Sequence, residues 1–327
     1  MQPLSRRDVF RLAGLGAAVA AAPTALANPA SAASIPMQDK APPETFKRFK
    51  LASFEITILS DGHRIVPDPQ AVFGTDQKKA AVEDLLVANF LPKQAMQFSF
   101  APVLINTGSE LVLVDTGNGE AGRKGGAGQM LQSLKASGYK PGDVSIVVIT
   151  HMHPDHIGGI MEADKPAFPN ARYVTGKREY AFWSDRARMG TKAERNHQLV
   201  EKLIVPLAGK FTFINEGDQV APGITGINAF GHTPGHMIFR IESGQKTLIL
   251  TADTANHFVL SLQRPDWQVV FDWNKEQATQ TRKKVFDMIS AERIPFIGYH
   301  MPFPSVGYVE KRPPGYYYVP ESYQFAI

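Results

Sequence analysis

Thr150-His151-Met152-His153-Pro154-Asp155-His156-Ile157-Gly158-Gly159 is the stretch on which the reading of the fold turns. Four potential metal ligands fall within its six residues from His151 to His156. The stretch follows Val144-Ser145-Ile146-Val147-Val148-Ile149, a β-branched apolar run that reads as a buried strand. It ends in a glycine pair that lets the backbone turn tightly. A strand that delivers His-x-His-x-Asp-His into a loop gathers imidazoles and a carboxylate on one small patch. Neutral imidazole and carboxylate suit zinc or a similar divalent metal. The chain has no cysteine, so every protein ligand is a nitrogen or an oxygen.

More candidates of the same type stand at the ends of later apolar runs. Ile224 to Phe230 leads into Gly231-His232-Thr233-Pro234-Gly235-His236. Thr247 to Leu250 leads through Thr251-Ala252 to Asp253, and Ile294 to Tyr299 ends at His300. His151, His153, Asp155, His156, His232, Asp253 and His300 exceed what one tetrahedral zinc takes, but they suit two metals that share a carboxylate.

His-x-His-x-Asp-His after a strand resembles the second motif of the metallo-β-lactamase superfamily. The resemblance implies an αββα sandwich, an α/β (α+β) fold in one domain, with the metals at one edge of the paired sheets. It implies that His151, His153 and His232 hold one metal, that Asp155, His156 and His300 hold the other, and that Asp253 bridges them. Of the two histidines in Gly231–His236 it selects His232, leaving His236 structural. Asp115, which ends Leu111-Val-Leu-Val, then has an architectural role beside the metal loop. Two divalent ions, zinc by default, would hold a bridging hydroxide as nucleophile, with Asp155 receiving and returning the proton.

Several branches of the superfamily fit poorly. Asp253 at the bridging position argues against β-lactamases, and His153 argues against flavodiiron proteins. The strongest resemblance is to the methyl parathion hydrolase and lactonase family. It rests on Leu111-Val-Leu-Val-Asp-Thr-Gly, the Gly231–His236 segment, the spacing to Asp253 and His300, and Ile297-Gly-Tyr-His-Met-Pro-Phe-Pro-Ser-Val-Gly-Tyr followed by Gly315-Tyr-Tyr-Tyr-Val-Pro. It implies a secreted metallohydrolase of lactones or esters, with phosphotriesters as the alternative substrate and a homodimer as the assembly. A secreted metal- or ligand-binding protein without turnover is the rival from another class. Many acyl-homoserine lactonases carry a tyrosine three residues after the bridging Asp, where this chain has Asn256. That change favours aryl or alkyl lactones, bound against Phe182 and Trp183, with Asn256 and His257 at the pocket mouth.

The other features set the frame. The chain has 327 residues, 43% hydrophobic and 20% charged, an ordinary globular composition. Ser5-Arg6-Arg7-Asp8-Val9-Phe10-Arg11, the small-residue apolar stretch Leu12 to Ala22 and Ala25-Leu26-Ala27 resemble a twin-arginine export signal, so residues 1–27 are expected to be removed and the protein to be periplasmic or secreted. Removing them takes away three arginines and one aspartate and lowers the formal charge from +4 to +2, which leaves no basic excess for nucleic acid. Residues 28–45 read as a flexible linker and 46–327 as the hydrolase domain, with no membrane span. Gly122 to Gly128 is a glycine-rich turn without the Lys-Ser/Thr ending of a P-loop. Helical periodicity is expected over Gln77 to Phe90 with Ala81, Leu85 and Leu86 inward, and over Met130 to Gly138, Lys177 to Arg188, Ala193 to Leu203 and Lys275 to Glu292. His63 reads as a surface or pocket-edge residue. His197 and the run Arg282-Lys283-Lys284 read as solvated faces.

Overall fold

The computed structural model describes residues 44–322. The expected signal segment and nearly all of the linker lie outside the described residues. Among those described, no helix is long and apolar enough to cross a membrane.

The first half of the domain builds one seven-stranded sheet from Phe46–Leu51, Phe54–Leu59, Val103–Asn106, Leu111–Val114, Ile146–Ile149, Arg172–Gly176 and Phe211–Ile214. The second half builds another from Gln219–Ala221, Ile224–Asn228, Met237–Ser243, Lys246–Ala252, Phe296–Gly298, Val306–Arg312 and Gly315–Pro320. In both sheets the strands lie side by side in chain order. The sheets are mixed: Leu111–Val114, Ile146–Ile149, Arg172–Gly176 and Phe211–Ile214 run parallel, as do Lys246–Ala252 and Phe296–Gly298.

Leu111–Val114 and Ile146–Ile149 are apolar and buried at every position because both of their faces are covered. The pleat sorts them into separate cores. Val112, Val114, Ile146 and Val148 join Phe239, Ile241, Leu248 and Leu250 between the two sheets. Leu111, Leu113, Val147 and Ile149 turn the other way, onto the helices Met130–Ala136, Lys177–Trp183 and Glu194–Leu203. Ile238, Ile249 and Phe296 pack against Val285, Phe286 and Ile289 of the helix Lys275–Glu292. The result is the four-layer αββα arrangement.

Local differences from the sequence reading have physical reasons. The run Phe98 to Asn106 reads from the sequence as one strand, but Phe98 is not continuous with Val103–Asn106. It pairs with Arg64 in a separate two-stranded ribbon, His63–Pro67 with Ala95–Ser99, and residues 100–102 carry the chain from the ribbon into the sheet. The helix near residue 80 spans Lys79–Ala88 and buries Val82 where Ala81 was expected; Ala81 is exposed. The helix from Lys177 stops at Trp183, and a 3-10 turn Arg186–Arg188 follows, capped by the Asp185 carboxylate accepting from Ala187 N. His197 is buried, with Nδ1 on the Trp183 carbonyl at 2.7 Å. Arg282, expected in solvent, is fully buried. It falls in the same stripe as Ala278, Val285, Phe286 and Ile289, so periodicity takes it inward.

Candidate metal centre

The loop after Ile146–Ile149 is shaped by two neighbours in sequence and one across the sheet. Pro154 opens a single helical turn, Pro154–Ile157, where its missing N–H costs nothing. That turn presents Asp155 and His156 back toward His151 and His153. Asp115 ends the adjacent strand in the left-handed region, at φ 62°. Its carboxylate accepts from Thr150 N at 2.9 Å, from Thr150 Oγ1 at 2.8 Å and from His156 Nδ1 at 2.8 Å. Asp115 therefore pins both ends of the loop.

The second half supplies the rest. His232 sits in the turn from Gly231 to His236. Asp253 follows Ala252, which holds φ 42°, a conformation that costs an alanine about 1–2 kcal/mol. His300 stands just past Phe296–Gly298.

The structure brings all seven side chains together in two groups that share Asp253. His151, His153, His232 and Asp253 form one; Asp155, His156, Asp253 and His300 form the other. Within each group the ligand atoms lie within 4.8 Å of one another. Asp253 Oδ2 is 3.2 Å from His232 Nε2 and 3.1 Å from His300 Nε2, while its Oδ1 is 3.3 Å from His156 Nε2. Asp155 Oδ2 lies 3.5 Å from His156 Nε2 and 3.4 Å from His300 Nε2.

The outward ring nitrogens decide what the inward ones offer. His156 Nδ1 donates to Asp115, His232 Nδ1 to Asp272 at 2.9 Å, and His300 Nδ1 to the Ser99 carbonyl at 2.8 Å. Thr150 Oγ1 gives its proton to Asp115, so it accepts from His151 Nδ1 at 3.0 Å. When neutral, as a metal ligand must be, each ring turns a bare Nε2 lone pair inward. His153 Nδ1 meets two of these, His151 Nε2 at 3.1 Å and His232 Nε2 at 2.9 Å. His156 Nε2 and Asp253 Oδ1 are buried without any hydrogen bond. Converging lone pairs and stranded acceptors of this kind are what divalent cations satisfy, and an all-nitrogen and oxygen donor set fits zinc.

The electrostatics divide the set. Burial alone would lower His156 and His232, but the surrounding carboxylates outweigh it and raise both, His232 to about 9, so without metal these two rings hold a proton that a dication would displace. Burial and the neighbouring imidazoles keep His151 neutral and push His153 down to about 3. Burial alone would raise Asp155, but His156 and His300 outweigh it and hold its carboxyl at about 2. His236 is not a ligand. Burial lowers it to about 3, its Nδ1 bonds the Ala229 carbonyl, and its Nε2 accepts from Asp253 N at 3.2 Å, so it fixes the backbone of the bridging residue.

Three supporting residues escaped the sequence reading. Glu179 is fully buried and accepts four hydrogen bonds, from Met152 N, Trp183 Nε1, Thr233 Oγ1 and Gly235 N, at 2.7–2.9 Å. It thereby ties the His151–His153 loop to the His232 loop. A Cβ at position 235 would stand 2.2 Å from Glu179 N, which explains the glycine there. Asp272 orients His232 and is itself held by Arg282 Nη2 at 2.8 Å. Arg282 also donates from Nε to the Thr254 carbonyl, next to Asp253, at 2.9 Å. The available signals were spacing: Glu179 stands four residues before Trp183 on one helix face, and Arg282 lies in an apolar stripe. Glu179→Gln turns an amide N–H₂ toward donors that need an acceptor. Each stranded donor costs about 1–3 kcal/mol. A drop in the urea midpoint is expected; an unchanged midpoint would show that the two loops do not depend on this carboxylate.

The expected pocket residues separate. Phe182 lines a cavity, together with Trp273. Trp183 is nearly buried, its ring 6.1 Å from His153 and its Nε1 on Glu179, so it packs behind the metal ligands. Asn256, expected at the mouth, is buried and donates from Nδ2 to Asp253 Oδ2 at 2.8 Å. His257 is also turned in. Its Nδ1 accepts from Val259 N and Leu260 N, and its ring stacks on Phe258. Burial lowers His257 to about 3. Below about pH 6.5 the unfolded chain takes up a proton that the folded chain refuses, so this residue's stability contribution is present above that pH and is lost on acidification toward about pH 3. His257→Asn keeps an acceptor for the two N–H groups and should flatten the acid limb; urea midpoints that fall equally in both proteins between about pH 7 and 5 would count against it.

A family model described as the metallo-beta-lactamase superfamily matches residues 102–289. An N-acyl homoserine lactonase of Bacillus cereus is 28% identical over 169 residues, which make up 51% of this chain and 60% of that protein. The N-acyl homoserine lactonase AttM of Agrobacterium fabrum is 33% identical over 134 residues, 38% of this chain and 46% of that protein. The chain thus spans about three fifths or less of the length of these curated relatives. Among solved structures, AidC, a dizinc quorum-quenching lactonase in complex with a product, superposes with a TM-score of 0.77 at 28% identity, covering 85% of this chain and 98% of that one. The hydrolase AbOPH in the beta lactamase superfamily gives a TM-score of 0.78 at 26% identity, covering 86% and 99%.

Proposed function

The chain belongs to the metallo-β-lactamase superfamily, and from that premise we propose that it is a two-metal hydrolase of lactones and related esters, with zinc at both positions. The observation that carries the reading is the Asp253 carboxylate, placed between two complete groups of ligand side chains. Two zinc ions held there would supply a hydroxide nucleophile near neutral pH and a Lewis acid for the ester carbonyl. The relatedness to lactonases and to a dizinc lactonase supports the same class of substrate.

This chain's own residues do the positioning. The Asp155 side chain is 22% exposed, against 4% or less for Asp253, His156 and His300 around it, so within that group it is the ligand that faces the approach, as the half-buried His153 does in the other. It is placed to take the proton released as the new C–O bond forms and to return it to the leaving alkoxide. Phe98 stacks on His300 at 4.0 Å, and the exposed Phe271 lies 6.4 Å from Phe98. This apolar rim suits the ring of an aryl or alkyl lactone. Asn256 is occupied with Asp253, so no phenol or amide from that position reaches the carbonyl.

The deciding measurement is kcat/KM of the zinc-loaded protein on an aromatic lactone and on an aryl phosphotriester, with a chelated control. A lactone preference of ~100-fold, equivalent to ~2.7 kcal/mol in the transition state, is expected. The opposite preference would assign the rim to tetrahedral phosphorus. Turnover that survives complete zinc removal would overturn the metal reading.

A further inference from the structure

A cavity of about 450 Å³ lies beside the loop that carries His232, and no metal-ligand side chain lines it. Its apolar walls are Phe182, Pro234 and Trp273, the two rings meeting edge to face at 5.0 Å. Its polar lining is Arg178, Asn274 and Gln277. The Arg178 guanidinium rests 4.4 Å over the Phe230 ring, and among the described residues no carboxylate lies within 4.0 Å of it. Asn274 Oδ1 is used in capping the helix at Gln277 N, while Asn274 Nδ2 and the Gln277 side-chain amide make no hydrogen bond within the described chain. Lys192 Nζ, 3.9 Å over Trp273, and Arg188, 4.6 Å over Phe182, add positive charge at the edge; Arg188 is shared with Asp185 at 3.6 Å. No acidic side chain lines the space.

Two flat apolar walls, a cation without a partner and free amide donors describe one kind of occupant. The volume suits a small molecule. An aromatic ring would pack on Phe182 and Trp273, and an anionic group would face Arg178, whose planar fork matches a carboxylate. We infer that this cavity is a second binding site, outside the metal centre, for a small aromatic carboxylate. The wall residues also hold a ligand-bearing loop: Trp273 N donates to the His232 carbonyl at 2.9 Å and Asn274 N to the Gly231 carbonyl at 3.0 Å. A molecule seated there contacts the segment that sets the His232 backbone. If the proposed lactone hydrolysis holds, the ring-opened product of an aromatic lactone is itself an aromatic carboxylate, but binding at this site does not require that reading.

Titration calorimetry of the zinc-loaded protein with 2-naphthoate tests the site without reading turnover. One saturable site is expected, weakened at least tenfold by Arg178→Ala and also weakened by Gln277→Leu, with zinc content unchanged in both. 2-Naphthamide, the same shape without the charge, should bind at least tenfold more weakly. Equal affinity in wild type and Arg178→Ala would overturn the inference. So would loss of 2-naphthoate binding on zinc removal, because the carboxylate would then be sitting on the metals.

Discussion

Replacing Asp253 with alanine should lower kcat/KM on a lactone by at least about 10³-fold, equivalent to about 4 kcal/mol of transition-state stabilisation, and reduce bound zinc below two per chain. The carboxylate is the one side chain common to both ligand groups. It lies within 3.1–3.8 Å of nitrogens from His151, His156, His232 and His300, and one of its oxygens has no hydrogen bond at all. Removing it takes a ligand from each metal and leaves five imidazoles and the single carboxylate of Asp155 to balance two dications. Asp253→Asn sharpens the test because it keeps the shape and removes the charge. Zinc analysis alongside kinetics separates lost metal from lost chemistry. Full zinc content with an unchanged rate in both variants would remove Asp253 from the bridging position.

The second large effect is expected at a distance from the metals. Arg282 is fully buried, and its three hydrogen bonds go to Asp272 Oδ2, the Thr254 carbonyl and the Pro265 carbonyl. Through Asp272 it fixes the His232 ring; through Thr254 it steadies the chain next to Asp253. Burial alone would push the Asp272 carboxyl up, but Arg282 and His232 more than offset that and hold it below the usual range. Arg282→Met strands a buried carboxylate, a change that costs about 3–5 kcal/mol. Zinc affinity should fall by about 10–100-fold, as expected when a residue supporting a metal-bound histidine is lost. The double variant Arg282→Met with Asp272→Leu divides the two roles. Removing both charges should return part of the stability, because neither ion is left unpaired. It should not return zinc affinity, because replacing Asp272 leaves His232 Nδ1 without its acceptor. Unfolding midpoints and chelator competition read the two quantities. If stability and affinity recover together, Asp272 has no separate hold on His232.

Much of this was legible in the amino-acid order because strands, turns and metal ligands leave local signals. The run Val144–Ile149 and the His-x-His-x-Asp-His after it sit within thirteen residues, and His232, Asp253 and His300 each follow an apolar run. The helix expected from periodicity over Lys275 to Glu292 spans those residues, with Asn274 Oδ1 accepting from Gln277 N at its start. What did not show was burial decided by distant partners. Arg282 looks like its neighbours Lys283 and Lys284 until Asp272 is placed across from it. His257 and Asn256 look like pocket residues until the chain after Asp253 folds inward and uses their side chains on its own backbone and on the bridging carboxylate. Glu179 sits among aromatic residues, and only the approach of two loops from opposite halves gives its oxygens three of their four donors.

The side-by-side order of the strands also bears on how the chain is made. Each sheet grows by adding the next strand to the last, so its pairings are between near neighbours in the chain and form early. The ligand groups obey the opposite rule: His151 and His153 wait for His232 and Asp253, and Asp155 and His156 wait for Asp253 and His300. During synthesis the first sheet emerges with its histidines in place but with only half of a cage. A metal held by these groups would be fully enclosed only after the segment bearing His300 has left the ribosome, and it would fasten together two halves whose sheets are drawn from separate stretches of chain.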